Sequence, residues 1–122
     1  MASVVGRIRR KATFRALSRP EGRAQSGPVS VVFSARAPEA ALRAVAGYSV
    51  GRRHGGAVER NRMRRRLREA MRMAGAELPA GAYLVRAAPP AAALGFDELC
   101  RMVRTAAEAA AKGSHYEERR AR

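Results

Sequence analysis

Between Arg60 and Arg72, seven of thirteen residues are arginine and one, Glu69, is acidic. The apolar residues in and just beyond this stretch are Met63, Leu67, Ala70, Met71 and Ala74. They fall at i, i+4, i+7, i+8 and i+11, one face of a 3.6-residue helix. Asn61, Arg64, Arg65, Arg68 and Arg72 cluster on the far side of the same wheel, with Arg62 further round. One face of such a helix can bury, and the other presents a dense guanidinium surface. Guanidinium groups keep their charge at any ordinary pH, and their planar fork suits phosphate oxygens. Unpaired, they repel one another at i, i+3 and i+4 spacings, and a polyanion removes that repulsion. The expectation is a helix built to lie against nucleic acid. A merely solvated face normally mixes signs, which this one hardly does. A cationic helix on a membrane wants bulky aromatic or leucine side chains, whereas this apolar face offers Met, Leu and Ala without an aromatic.

The rest of the chain agrees with that reading. Its 122 residues make one domain, taken here as 1–122, and its net charge of +15 exceeds what solubility asks of a small domain. Nearly all of that charge is arginine, since Lys11 and Lys112 are the only lysines. The hydrophobic fraction of 47% is inflated by alanine, so the core formers suffice for one small core. The single cysteine, Cys100, excludes an internal disulfide and suits a reducing, cytoplasmic compartment. No apolar run approaches the ~18 residues of a membrane span. Met1 to Lys11 is basic but lacks a following apolar segment, so no secretory signal is expected.

Taken in order, residues 1–11 read as a basic arm carrying Arg7, Arg9, Arg10 and Lys11, free unless docked. Ala12 to Leu17 can form a turn or two of helix with Phe14 and Leu17 on one side. Ser18 to Pro28, rich in Pro, Gly and Ser, reads as loop. Val29 to Ala35 is a strand by its β-branched and aromatic content, with Val29, Val31 and Phe33 sharing one face. Phe33 is there either a core residue or a stacking platform for a base. Val45 to Val50 is a second strand, carrying Tyr48, and a glycine-rich turn with Arg52, Arg53 and His54 follows. The arginine helix is expected from about Ala57 to Gly75, with Gly75 as its terminating residue and Pro79 blocking continuation. Ala82 to Ala88 forms a third strand, ended by Pro89 and Pro90. Strand, helix, strand is a βαβ unit with parallel flanking strands and, by the general rule, a right-handed crossover. A last helix from Phe96 to about Lys112 carries an apolar stripe that includes Cys100, and residues 113–122 read as a disordered tail.

Catalytic constellations are hard to find. Asp97 is the only aspartate and stands at a helix start, where it meets the helix dipole. Glu59 and Glu69 face different ways on the wheel, and no serine or cysteine has an evident base partner. His54 has no Cys or carboxylate at ligand spacing. The sequence therefore points to RNA or DNA binding within a larger assembly, without an active site or metal site of its own. A protein-only nuclease ranks last for want of carboxylates.

The run Arg60-Asn61-Arg62-Met63-Arg64-Arg65, continuing to Arg68, resembles the signature of the bacterial ribonuclease P protein subunit. The preceding Tyr48-Ser49-Val50-Gly51-Arg52-Arg53 and Gly55-Gly56-Ala57-Val58 fit as well, and the resemblance spans roughly residues 7–112. It implies an α+β fold: a compact two-layer α/β sandwich, a mixed sheet of about four strands with three helices, and a left-handed βαβ crossover, akin to the second domain of a small-subunit ribosomal protein. It implies a partner, a large catalytic RNA, with which the subunit removes the 5′ leader of precursor tRNA. Magnesium would be held mainly by the RNA, which would do the chemistry; no organic cofactor, membrane or obligate protein partner is implied. Carried over by position, Arg60, Asn61, Arg62, Arg64, Arg65 and Arg68 would face the catalytic RNA, and Arg52 and Arg53 match a basic pair. Phe14 and Phe33 match aromatics of a central cleft for the leader. The family often has a second aromatic four residues after the first, and Ser18 stands there in this chain. The competing expectation is a general basic, ribosome-associated RNA-binding protein with no processing role.

Overall fold

The computed structural model describes residues 5–113. The elements are β1 (Gly6–Arg7), α1 (Lys11–Leu17), β2 (Gly22–Ser26), β3 (Val29–Ser34), β4 (Ala44–Val50), α2 (Ala57–Ala74), β5 (Gly81–Ala87) and α3 (Phe96–Ala111). Short 3-10 turns at Pro38–Ala40, Arg52–His54, Gly75–Glu77 and Pro89–Ala93 join them. The five strands form one mixed sheet in the order β1-β4-β5-β3-β2. β4 runs parallel to both β1 and β5, while β3 is antiparallel to β5 and to β2. The β4–α2–β5 unit is thus the parallel βαβ element that the strand–helix–strand pattern requires.

Alternation along the strands decides which side each helix covers. Val29, Val31 and Phe33 of β3, Ala44, Ala46 and Val50 of β4, and Tyr83, Val85 and Ala87 of β5 join the core beneath α2 and α3. α2 buries Met63, Leu67, Ala70, Met71 and Ala74, the same five residues that the helical period singles out. α3 buries Leu99, Val103, Ala106, Ala107 and Ala110, and Cys100 is half-buried beside them. A buried leucine such as Leu67 contributes about 1.5–3 kcal/mol over an exposed one. The opposite side of the sheet carries a smaller cluster of Ile8, Leu17, Ala37, Ala40, Val45 and Ala82. α1 therefore lies on the face that α2 and α3 leave uncovered.

Three expectations need correction. The segment expected to be a free basic arm instead supplies β1, with Gly6 and Arg7 paired to Val45 and Ala46 and Ile8 buried. The Ser18–Pro28 stretch expected as loop contains β2, so the sheet has five strands rather than about four. β2 alternates buried Gly22, Ala24 and Ser26 with exposed Arg23 and Gln25, but its inward side chains are small because α3 crosses close above it. A Cβ on Gly22 would stand 1.9 Å from the Ala110 carbonyl oxygen. Gly75 does not terminate α2 in a left-handed conformation; its φ of −60° carries the chain into the 3-10 turn that follows. The tail expected at 113–122 lies, beyond Gly113, outside the described residues. No helix among the described residues is long and apolar enough to cross a membrane.

Candidate nucleic-acid interface

The outer surface of α2 begins at a braced loop. Gly56 donates its N–H to Glu59 Oε1 at 3.0 Å, satisfying a backbone donor at the helix start. In the 3-10 turn before it, Arg52 and Arg53 are exposed, and His54 Nε2 lies 2.8 Å from the Ala87 carbonyl oxygen. A carbonyl only accepts, so Nε2 carries the proton. His54 is thus a clasp between the arginine-bearing turn and the end of β5, a role that loop composition alone did not reveal.

Along α2, Asn61, Arg62, Arg65 and Arg68 are exposed, and Arg60 and Arg64 are half-buried. Asn61 Oδ1 accepts a 2.8 Å hydrogen bond from Arg64, which fixes the guanidinium one turn on. The Arg60 Nε is buried without a hydrogen-bond partner. Arg72 bonds Glu69, whose carboxyl is held below the usual range first by that hydrogen bond. Arg66, within the same run, has a different job. It donates to the Leu94 carbonyl at 2.6 Å and lies 3.5 Å from that of Ala91, tying α2 to the turn before α3. Residue type did not separate Arg66 from its neighbours; its position beside the buried face is the signal that could have.

The flank of α2 toward the sheet edge borders a cavity of about 660 Å³. Arg64, Arg68 and Arg72 line it from one side, Arg7 of β1 from another, and Tyr48 of β4 from within. The Arg68 guanidinium carbon sits 5.8 Å from the centre of the Tyr48 ring, within cation–π range. Burial pushes the Tyr48 phenol up to about 12, although the Arg68 charge opposes this. Neither Arg7 nor Tyr48 was a sequence candidate: the packing of β4 beneath α2 brings Tyr48 there, and the β1–β4 pairing brings Arg7.

The two candidate cleft aromatics part company. Phe14 on α1 is 48% exposed and stands over β4, where a Cβ on Gly47 would be 3.5 Å from its ring. Phe33 is 5% exposed and faces the other side of the sheet, beneath α2 and α3. Its ring meets Tyr83 edge-on at 5.0 Å, and a Cβ on Gly81 would stand 2.2 Å from it, so only glycine leaves it room. The expectation that Phe33 lines the cleft is therefore corrected: the alternation that groups it with Val29 and Val31 takes it into the core with them. Ser18, where a second aromatic was sought, donates its hydroxyl to the Arg15 carbonyl at 2.6 Å just past the end of α1.

α1 is positioned by Glu39. That carboxylate accepts the backbone N–H groups of Arg9 and Arg10 at 3.1 Å each, and the Thr13 hydroxyl. Burial alone would raise the Glu39 pKa, but these hydrogen bonds outweigh it and the net shift is downward. Among the described residues, no three His, Cys, Asp or Glu side chains converge on a point that could hold a metal ion. Burial pushes the half-buried Cys100 thiol up, which disfavours the reactive thiolate.

A family model described as ribonuclease P matches residues 4–111. This chain belongs to the ribonuclease P protein family. The ribonuclease P protein component of Acidothermus cellulolyticus is 44% identical over 94 residues, covering 76% of this chain and 78% of the relative. That of a Nocardioides species is 41% identical over 102 residues, covering 83% of this chain and 87% of the relative. The RNase P protein of Staphylococcus aureus, a solved structure, superposes with a TM-score of 0.66 at 22% identity, over 87% of this chain and 93% of that one. At that identity the superposition speaks for the fold. The mixed sheet with three helices is the fold of ribonuclease P proteins.

Proposed function

We propose that this chain is the RNA-binding subunit of ribonuclease P, and that it assists a catalytic RNA in cutting the 5′ leader from precursor tRNA. The observation that carries the reading is the outer surface of α2. Arg62, Arg65 and Arg68 stand exposed there, the exposed Arg52 and Arg53 extend the surface past the helix start, and among the described residues Glu69 makes the only carboxylate ion pair on the helix. Phosphate oxygens of the catalytic RNA meet these groups in the reading, giving affinity with little sequence preference. Arg60, Asn61 and Arg64 join them, Asn61 by orienting Arg64. On the opposite face, the leader lies along α1 and the sheet, with Phe14 as its stacking residue. Phe33 has no part in it.

The reaction is hydrolysis of a phosphodiester. Magnesium held by the RNA supplies the chemistry of that step, and this chain binds and orients the two RNAs in the cytoplasm. Reconstitution tests this. The purified chain is mixed with the ribonuclease P RNA of its own source at near-physiological magnesium, and 5′ processing of a precursor tRNA is followed. Cleavage that needs both components is the expected result. Tight RNA binding without stimulation would instead favour a general basic, ribosome-associated RNA-binding protein. Metal-dependent cleavage by the protein alone would point to a protein-only nuclease.

A further inference from the structure

The cavity between β1 and α2 does something that a flat phosphate-binding surface does not need. The outer arginines of α2 can follow a nucleic-acid backbone without any recess. Here Arg64, Arg68 and Arg72, at i, i+4 and i+8, turn along one flank of the helix toward a hollow whose inner wall is Ala46, Gly47 and Tyr48. The hollow, about 660 Å³, is closed on the far side by β1, which sets Arg7 opposite the helix. A guanidinium rim over a partly apolar, aromatic interior is the composition of a pocket for a small anionic ring compound, and the volume falls in the range of ~300–1,000 Å³ typical of such pockets.

We propose that this cavity receives a single nucleotide of the bound RNA, turned out of its stack, with the base against Tyr48 and Arg68 and the phosphate among the arginines of the rim. The inference rests on the reading of α2 as an RNA-binding surface and deepens it. The Arg68 guanidinium over the Tyr48 ring offers a planar cation on which a base stacks, as unpaired bases do on aromatic rings and arginine planes. Tyr48 stays protonated at any physiological pH, so its hydroxyl is a standing donor. Glu69 is the one carboxylate lining the cavity among the described residues, and its bond to Arg72 keeps it ionised. It is an acceptor suited to the N–H edge of a base and not to a phosphate. A base-paired nucleotide hides that edge, so the pocket selects an unpaired one.

The test uses the full chain and two RNA hairpins that differ only by one bulged adenosine, with affinity read by fluorescence anisotropy at a fixed salt concentration. Wild type should bind the bulged hairpin about tenfold more tightly, or 1.4 kcal/mol. Tyr48→Ala should bring the two hairpins to parity, and Tyr48→Phe should keep most of the preference because the ring is retained and only the hydroxyl donor is lost. Should Tyr48→Ala fail to fold by circular dichroism, Arg7→Ala decides: Arg7 is exposed on β1 and faces α2 across the cavity, and its loss should cut the preference at least threefold. Equal binding of both hairpins by wild type, with steep salt dependence intact, would overturn the nucleotide pocket and leave the proposed function standing. Failure to bind either hairpin would remove the RNA-binding reading and the pocket with it.

Discussion

The two faces of the sheet handle charge in opposite ways. On the α1 face, carboxylates hold the backbone. Glu39 gathers two N–H groups and a hydroxyl at the start of the helix, and Glu21 accepts from the Ala35 N–H and from the Arg36 guanidinium at 3.1 Å. On the α2 side the helix is held chiefly by apolar contact along its buried face, with Arg66 bonded to the turn before α3, and its other outward charges are left nearly unmatched. An element that must be placed accurately is tied by hydrogen bonds; an element that must attract a polyanion is tied by hydrophobic packing so that its cations stay available. The contrast predicts that α2 governs affinity for the catalytic RNA and that α1 governs the discrimination of precursor from mature tRNA.

The sharpest way to break that division is to remove charge from α2. Replacing Arg65 and Arg68 together with alanine should weaken binding to the catalytic RNA about ten- to a hundredfold at moderate salt and lower the slope of log affinity against log salt by about two, near one for each lost phosphate contact. Both are exposed on a helix anchored by other residues, so the melting temperature should hardly move. Filter binding over a salt series checks this, and an unchanged slope would make the arginine surface a solvated one. A smaller effect, about five- to tenfold, is expected from Phe14→Ala, in line with the ~1–3 kcal/mol of a base–aromatic stack. It should fall on precursor tRNA and spare mature tRNA in the assembled enzyme. Equal weakening of both would move Phe14 from leader contact to packing.

The smallest effect concerns the Glu39 tether. Glu39→Gln should cost about 1 kcal/mol at neutral pH, the size of a lost helix N-terminal cap. The Glu39 pKa is lowered from its ordinary 4.5 in the folded chain, so its contribution is complete above that value. It disappears as pH falls through the lower folded-state value. Thermal melts of wild type and variant should therefore converge in acid. Parallel curves at all pH values would show that the carboxylate charge does not hold α1.

What the sequence disclosed follows from how each element is stabilised. α2, α3 and β3 carry strong periodicities because their partners are broad apolar surfaces, and their buried residues could be read directly. β2 could not be, since the nearness of α3 admits only Gly22, Ala24 and Ser26 on its inner side, and small residues resemble a loop. β1 is two residues long and exists through its pairing with β4, which no local pattern encodes. The site divides likewise. The arginines of α2 are legible because a helix fixes which side each one takes. Alternation correctly grouped Phe33 with Val29 and Val31, but which side of the sheet the larger helices would cover is a tertiary outcome, and that outcome took Phe33 out of the cleft. Arg66 looked like its neighbours until the carbonyls of Ala91 and Leu94 were in view.

The clasp between His54 and the end of β5 also fixes where the arginine-bearing turn can sit. Through its Nε2–H the imidazole joins the turn that carries Arg52 and Arg53 to the last carbonyl of the sheet's central strand. The start of α2 is therefore held to the sheet from two directions, by the buried face of the helix and by the imidazole ahead of it. A polyanion drawn to Arg52 and Arg53 meets charges whose spacing from those of α2 is set before it arrives.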